Sequence, residues 1–363
     1  MVSKSKKIIF YLISIFLIIL ISLMIFISSF IFSKLTQSYS YCNSYGEKDI
    51  QLGWVLKKSH ESCLSFKNYL LNKTYFDTTI FLNQYGFRDK NTISYNSPDI
   101  IFIGDSWTFG YGVNYEDTFA ALIEDQTSLN VFNMGVPNYS SLQALYLTKR
   151  FNNSFDPKLI IFLNPEIMSR ALCSKENYKN TLEPCYTIID NKVEIVFPDG
   201  DFLNNSIAQN KYPSGFHTAG YNFYEYYFIY KPKYIFNKLL LKIGLKSNKY
   251  KPDVGANYFS KKELNLIKNK ELNLISSLTT PNTKFINIMM SQNVYNENEI
   301  KKIQENYNFY NLNHEWYEKN VNARLNKIEN NGRIEKDGHY NEEANEIIAD
   351  AILNALKSNN YIK

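Results

Sequence analysis

Three short strand-forming runs, set apart by helix-forming stretches, constrain the fold of this chain more than any other feature. Residues 100–103 read IIFI, residues 131–133 open a second run, and residues 159–163 read LIIFL behind the turn pair Asp156 and Pro157. Between the first two, Phe119, Leu122 and Ile123 share one helical face. Between the second and third, Ser140 or Ser141 is placed to cap a helix that carries Leu142 and Leu145. Strands alternating with helices at this spacing predict an α/β fold, a parallel sheet with helices on its faces. A further strand is predicted at residues 284–290. A last helix is predicted from a cap at Asn341, with Ala344, Ile347, Ile348, Ala351, Ile352 and Ala355 at helical spacing and Glu342 and Glu343 in the first turn.

The start of the chain obeys a different rule. Residues 8–32 contain no charged side chain, and about 20 apolar residues suffice to span a hydrocarbon core. A cleaved signal peptide has a shorter apolar stretch and a small-residue cleavage site, and neither is present here. The reading is an uncleaved transmembrane signal anchor. Lys4, Lys6 and Lys7 precede it, which leaves the N-terminal tip in the cytoplasm and the rest of the chain outside it. The organisation expected is then a tip and anchor over 1–35, a membrane-proximal lead-in over 36–97, and one α/β domain over 98–363. Residues 166–280 interrupt the strand and helix rhythm and read as an aromatic-rich insertion. Its densest part, 220–244, reads as a helix pair broken at Pro232, or alternatively as an element lying on the membrane surface.

The net charge is +5, but the four lysines of residues 1–34 leave only +1 for the remainder. That excludes a basic nucleic-acid footprint. Cys42, Cys63, Cys173 and Cys185 all lie in the exported part, where disulfides persist. Of the three possible connectivities, pairing of sequence neighbours, Cys42 with Cys63 and Cys173 with Cys185, is expected. No Cys-x-x-Cys occurs, and His60, His217, His314 and His339 are scattered, so no metal and no cofactor is expected.

Ligands of an open parallel sheet bind beyond the carboxyl ends of its strands. Three polar phrases fall there: GDSWTFGYG after the first strand, NMGVPNYS after the second and NPE after the third. Ser106 in the first would be a nucleophile if a base took its proton. His339, in DGHYN, is the candidate base, and Asp337 two positions earlier is the group that would orient the imidazole. The oxyanion donors expected are the backbone amides of Ser106 and Gly135 and the side-chain amide of Asn164. Arg88, in YGFRD, is read as pairing with Asp89 or a loop carbonyl, with a substrate carboxylate or phosphate as the other option.

GDSWTFGYGV resembles the first block of the SGNH/GDSL hydrolases, NMGVPNYS their glycine block and DGHYN their terminal Asp/His block. The phrases LGW and NQYGFRD resemble the segment that precedes the first block in membrane-anchored bacterial members. The resemblance covers residues 50–165 and 284–357. It implies a three-layer, flavodoxin-like α/β/α fold and an esterase or acyltransferase mechanism. Ser106 would be the nucleophile, Asp337 and His339 the acid and base pair, and Ser106, Gly135 and Asn164 the oxyanion donors. In this sequence the last pair is spaced Asp-x-His, and the third block offers Asn164 followed by Pro165.

Three functions remain open at the level of sequence, with lipid-ester hydrolysis a further option if residues 220–244 touch the bilayer. One is an ester hydrolase acting on O-acetyl groups of an envelope or surface polysaccharide. The second is an O-acetyltransferase with the same residues, which requires a multispanning membrane partner to deliver the acyl donor. The third is a polysaccharide-binding protein that keeps the fold without turnover.

Overall fold

The computed structural model describes residues 4–35, 37–69, 71–90, 97–164, 170–173, 181–200, 259–290, 295 and 297–362. The chain divides into two compact units. One takes Met1–Ser40, Phe66–Tyr75 and Tyr221–Asn248; the other takes Tyr41–Ser65, Phe76–Gly220 and Lys249–Lys363.

In the first unit, α1 (Lys4–Leu35) is a 32-residue helix. Its apolar side chains face outward, with Leu12, Phe16 and Ile18 more than 60% exposed. Among the described residues no helix is long and apolar enough to cross a membrane. The helical backbone of α1 runs through the whole uncharged stretch, residues 8–32. The same unit stacks Tyr39 on Phe66 and Phe66 on Tyr75, with centroids 4.3 and 4.8 Å apart. The dense aromatic stretch 220–244 lies outside the described residues.

The lead-in folds as five strands: β1 (Gln37–Tyr41), β2 (Gly46–Asp49), β3 (Gly53–Leu56), β4 (His60–Asn68) and β5 (Lys73–Leu82). Within the second unit β2 pairs antiparallel with β3, and the Cys42–Cys63 disulfide closes the segment that contains them. Cys173–Cys185 is the other disulfide, so the neighbour pairing is the one formed.

A five-stranded parallel sheet is the centre of the second unit. Its strands are β6 (Ile100–Gly104), β7 (Val131–Gly135), β8 (Leu159–Asn164), β11 (Lys284–Met289) and β12 (Phe309–Leu312), in the order β12-β11-β8-β6-β7. The remaining strands, β9 (Cys185–Ile189) and β10 (Lys192–Val196), form an antiparallel hairpin. Helices α2 (Ser106–Phe109) and α3 (Phe119–Thr127) follow β6, and α4 (Ser141–Phe155) follows β7. Later come α5 (Lys261–Ser276), α6 (Glu297–Asn306) and α7 (Glu342–Ser358). The expected interruption at 166–280 therefore ends earlier in structural terms, because α5 packs beside α4 as a crossover helix of the main fold.

Residues alternate across the sheet as strand geometry requires. Ile100, Phe102, Ile161, Leu163, Ile286 and Ile288 pack against Phe119 and Ile123 of α3 and Ile348 and Ile352 of α7. The opposite face carries α4 and α5, which completes three layers. Strand-order reversal fixes where the chemistry falls. The chain moves from β6 out to β7 on one side, then returns over β6 to place β8 on its other side. The switch point is thus between β6 and β8, where an open parallel sheet leaves a crevice, and it brings the chain after Gly104 next to the chain after Leu163.

Caps explain the helix starts. Ser140, the first of the two serines considered, caps α4 in a reciprocal box with Gln143. Asn341 Oδ1 accepts from Ala344 N at 2.9 Å and starts α7.

Candidate active site

Ser106 is the first residue of α2, and the capping residue is Asp105, whose Oδ1 accepts from Trp107 N at 3.0 Å. Asp105 is buried, and burial raises its carboxyl above the usual carboxylate range although Arg170 Nη1 lies 3.5 Å from Oδ2. Two paired glycines, Gly104 and Gly135, end β6 and β7 so that this short helix can turn back over the strands. A Cβ on Gly104 would stand 2.2 Å from Thr108 Oγ1, and one on Gly135 2.3 Å from Phe109 N. Asn133, fully buried, fastens the arrangement by donating from Nδ2 to Thr108 O at 2.8 Å.

His339 arrives from the far end of the chain. The turn before α7 is closed by Ile334 N donating to His339 O at 2.8 Å and by Asn341 N donating to Gly332 O at 3.0 Å. These bonds present the imidazole at the switch point. His339 Nε2 lies 2.8 Å from Ser106 Oγ, 233 positions away in sequence. Nδ1 lies 2.5 Å from Asp337 Oδ1, and the same carboxylate oxygen accepts from His339 N at 3.1 Å. The Asp337 side chain is only 2% exposed and that of His339 is 22% exposed. A sheltered carboxylate on one ring nitrogen and a hydroxyl on the other is the arrangement that lets an imidazole accept a serine proton while its charge is balanced.

The expected oxyanion donors divide. Gly135 N donates to Asn133 Oδ1 at 3.0 Å. Asn164, fully buried at the end of β8, directs Nδ2 to Asn287 Oδ1 at 3.5 Å and to the Tyr295 hydroxyl at 3.4 Å. That hydroxyl donates in turn to the buried carboxyl of Glu271 at 2.6 Å, which also accepts from Ser141 Oγ at 2.6 Å. Both groups thus use these donors inside the protein. The Ser106 amide donates to no group among the described residues.

Sequence reasoning missed the aromatic surround. Trp107 and Tyr111 flank the imidazole, with ring centroids 5.6 and 4.6 Å from that of His339. Tyr111 is held by a 3.0 Å hydroxyl contact to Tyr41 and by the edge of Phe76. The four-residue spacing of Trp107 and Tyr111 was visible, but not that the lead-in would supply Tyr41 and Phe76 to back it. His60 and His314 stay away from this cluster, near Asn43 and Glu318 respectively. His217 lies outside the described residues.

Arg88 follows the loop-carbonyl reading and does not pair with Asp89. It is 1% exposed and donates from Nη1 to Phe109 O at 2.9 Å and to Gly110 O, and from Nη2 to Val113 O at 2.5 Å. Burial lowers its pKa to about 10. Asp89 is also fully buried and accepts from Asn83 Nδ2 at 3.1 Å and Lys90 N at 2.7 Å. Burial raises its pKa to about 6, against about 3.9 in an unfolded chain. Between those values the folded protein binds more protons than the unfolded one, so this group's contribution to stability falls as pH rises through the window and is constant above it. The expected loss is about 2–3 kcal/mol. Asp89→Asn removes it, so the stability of the variant relative to the wild type, read by urea unfolding, should increase from pH 4 to 7 (about the unfolded pKa to just above the folded one). A constant difference would show that Asp89 does not titrate in that window.

Fold and site together define an α/β protein with a serine, histidine and aspartate hydrogen-bonded at the switch point of its sheet. No protein-family model and no curated protein sequence matches the chain. Among solved structures it is similar to a member of the lipolytic protein G-D-S-L family from Veillonella parvula, with 14% identity over 71% of this chain and 97% of that one and a TM-score of 0.31. It is similar to the Clostridium thermocellum family 3 carbohydrate esterase, with 12% identity, 72% and 98% coverage and a TM-score of 0.33. The esterase EstA of a Pseudoalteromonas species gives 11%, 71% and 96%, and 0.33.

Proposed function

We propose that this chain is a membrane-anchored serine esterase of the SGNH/GDSL type, which removes acyl groups, acetyl above all, from a polysaccharide outside the cytoplasm. The observation that carries the reading is the pair of contacts on His339, 2.8 Å to Ser106 Oγ and 2.5 Å to Asp337 Oδ1. His339 takes the Ser106 proton as Oγ attacks the ester carbonyl, and Asp337 stabilises the imidazolium that results. His339 then returns the proton to the leaving alcohol. Water, deprotonated by the same imidazole, releases the acid from the acyl-enzyme and restores the serine. The Ser106 amide supplies one oxyanion donor. Gly135 and Asn164 join it as the substrate carbonyl displaces their internal partners.

The anchor is supported by α1, whose helix includes the uncharged residues 8–32. At 1.5 Å per residue those residues extend about 37 Å, longer than the hydrocarbon thickness of about 30 Å. Lys4, Lys6 and Lys7 before it favour a cytoplasmic start.

The test is an acyl-length series. Full-length chain in a non-ester detergent is assayed on p-nitrophenyl acetate and butyrate, and acetate release is followed from O-acetylated xylan. Turnover that favours acetate, together with acetate release from the polymer, is expected. Absence of turnover combined with absence of a fluorophosphonate adduct on Ser106 overturns the reading. Acetate appearing on an added sugar instead of in water would move it to acyl transfer.

A further inference from the structure

Arg333 stands beside the serine and histidine without an ion pair among the described residues. Its guanidinium lies over the Trp107 ring, 4.2 Å from the centroid, and over the Tyr340 ring at 4.3 Å. Nη1 donates to Gly338 O at 3.1 Å. Trp107 follows the nucleophile in sequence, and Gly338 and Tyr340 bracket His339, so this cation is fixed to both halves of the site. The nearby carboxylate of Asp337 is occupied by the ring and backbone nitrogen of His339. The other close carboxylate on the nucleophile side, Asp105, has Arg170 as its partner.

A guanidinium has five N–H donors in one plane, and the Gly338 carbonyl takes one of them. The Tyr340 hydroxyl is a second partner, and with five donors the group keeps N–H bonds to offer a carboxylate or phosphate. Arg333 is only partly buried, so these donors can be reached from solvent. Two aromatic contacts also hold the side chain in one conformation, which reduces the entropy lost on binding.

We propose that Arg333 is an anion-recognition group of this active site, and that the ester substrate carries a negative charge, a carboxylate or a phosphate, a short distance from the ester that Ser106 attacks. The assignment rests on the esterase reading and specifies its substrate class. Acidic sugar units, uronates or sugar phosphates, are selected over neutral ones. Arg333 binds the charge; proton transfer stays with His339. A neutral polymer meets a cation with nothing to offer it, which makes the same residue a source of discrimination.

The experiment uses full-length protein in detergent and three acetyl esters: O-acetylated oligogalacturonide for the carboxylate, an O-acetylated hexose 6-phosphate for the phosphate, and O-acetylated xylo-oligosaccharide as the neutral reference. The wild type should show the higher kcat/KM on an anionic ester, and which anion leads identifies the source of charge. Arg333→Gln should lower the anionic-to-neutral ratio of kcat/KM about tenfold, the scale of one charge-assisted interaction. Arg333→Lys should recover part of it, since a point charge remains but the fork is lost. Salt at about 1 M, where the Debye length is about 3 Å, should erode the wild-type ratio without any substitution. A guanidinium that merely ties the two loops together would depress both classes alike and leave the ratio unchanged, which overturns the proposal, as does a wild-type ratio near one. Calorimetry with unacetylated oligogalacturonide, hexose 6-phosphate and xylo-oligosaccharide separates this result from the chemistry. Anion binding lost in Arg333→Gln without any turnover sustains the anion site and removes the esterase. Turnover without anion preference does the reverse.

Discussion

Ser106→Ala is expected to lower ester turnover by about 10⁴-fold or more, and His339→Ala to do nearly the same. The reason is mutual dependence. With Ser106 Oγ gone, the imidazole 2.8 Å away has no nucleophile to activate; with the imidazole gone, the hydroxyl keeps its proton. The double variant should therefore be no slower than the worse of the singles, because residues that act as a unit are not additive. Stability should change by less than about 1 kcal/mol in Ser106→Ala, since the cap on α2 is made by Asp105 and survives the truncation. Two assays decide the matter together. p-Nitrophenyl acetate hydrolysis reads turnover, and unfolding in urea reads the fold. Retained turnover in Ser106→Ala, in a folded protein, would place the nucleophile elsewhere.

Arg88→Met is expected to destabilise the protein by about 3–5 kcal/mol, the scale of stranding several buried carbonyls that accepted from a charged donor. Methionine fills much of the volume but donates to nothing. The carbonyls of Phe109, Gly110 and Val113 lose their guanidinium donors, and a buried acceptor left without a partner costs about 1–3 kcal/mol. These carbonyls belong to the loop that leads from α2 to Tyr111 and beyond, so the loss is not confined to stability. Tyr111 stands 4.6 Å from the His339 ring, and a loosened loop shifts that ring as well. The variant should therefore show a lower kcat even at temperatures where it remains folded. Arg88→Lys should recover less than half of the stability, because one ammonium cannot reach carbonyls spread over Phe109 to Val113. Equal stability of Arg88→Met and wild type would mean that water replaces the guanidinium.

The parts of the fold legible from the sequence are those with a local cause. The strands now seen as β6, β7, β8 and β11 are short apolar runs; glycine ends the first two, Asn164 and Pro165 the third, and Pro281 and Asn282 precede the fourth. The caps at Ser140 and Asn341 announce α4 and α7 because a side-chain oxygen at that position satisfies amides that nothing else can reach. Other elements lacked such signals. β12 is only four residues, FYNL, with two of them half-buried, and an edge strand needs a sheet beside it before its pattern means anything. α5 carries a run of lysine, glutamate and asparagine on its outer face, and lay within a stretch whose dominant feature was aromatic density. In the lead-in, β2 and β3 pair across a short turn, Asp49 opposite Gly53, but β2 reads GEKD and has no apolar residue to announce a strand.

The site shows the same division. Residue types near Ser106 and at Asp337 and His339 are written in two short phrases, and chemistry alone makes a serine, a histidine and an aspartate worth bringing together. Sequence by itself therefore determined which groups are available and where strands end beside them, while the choice among three cysteine pairings was made by the fold. Only the tertiary structure decided that the sheet reverses its order between β6 and β8, that Gly135 and Asn164 already donate to internal partners, and that Arg88 grips the loop after Ser106 while Arg333 lies over Trp107. Local signals act through bonds a few residues long, whereas each of these outcomes depends on which of many equally apolar surfaces meet, a choice made by packing the whole chain at once.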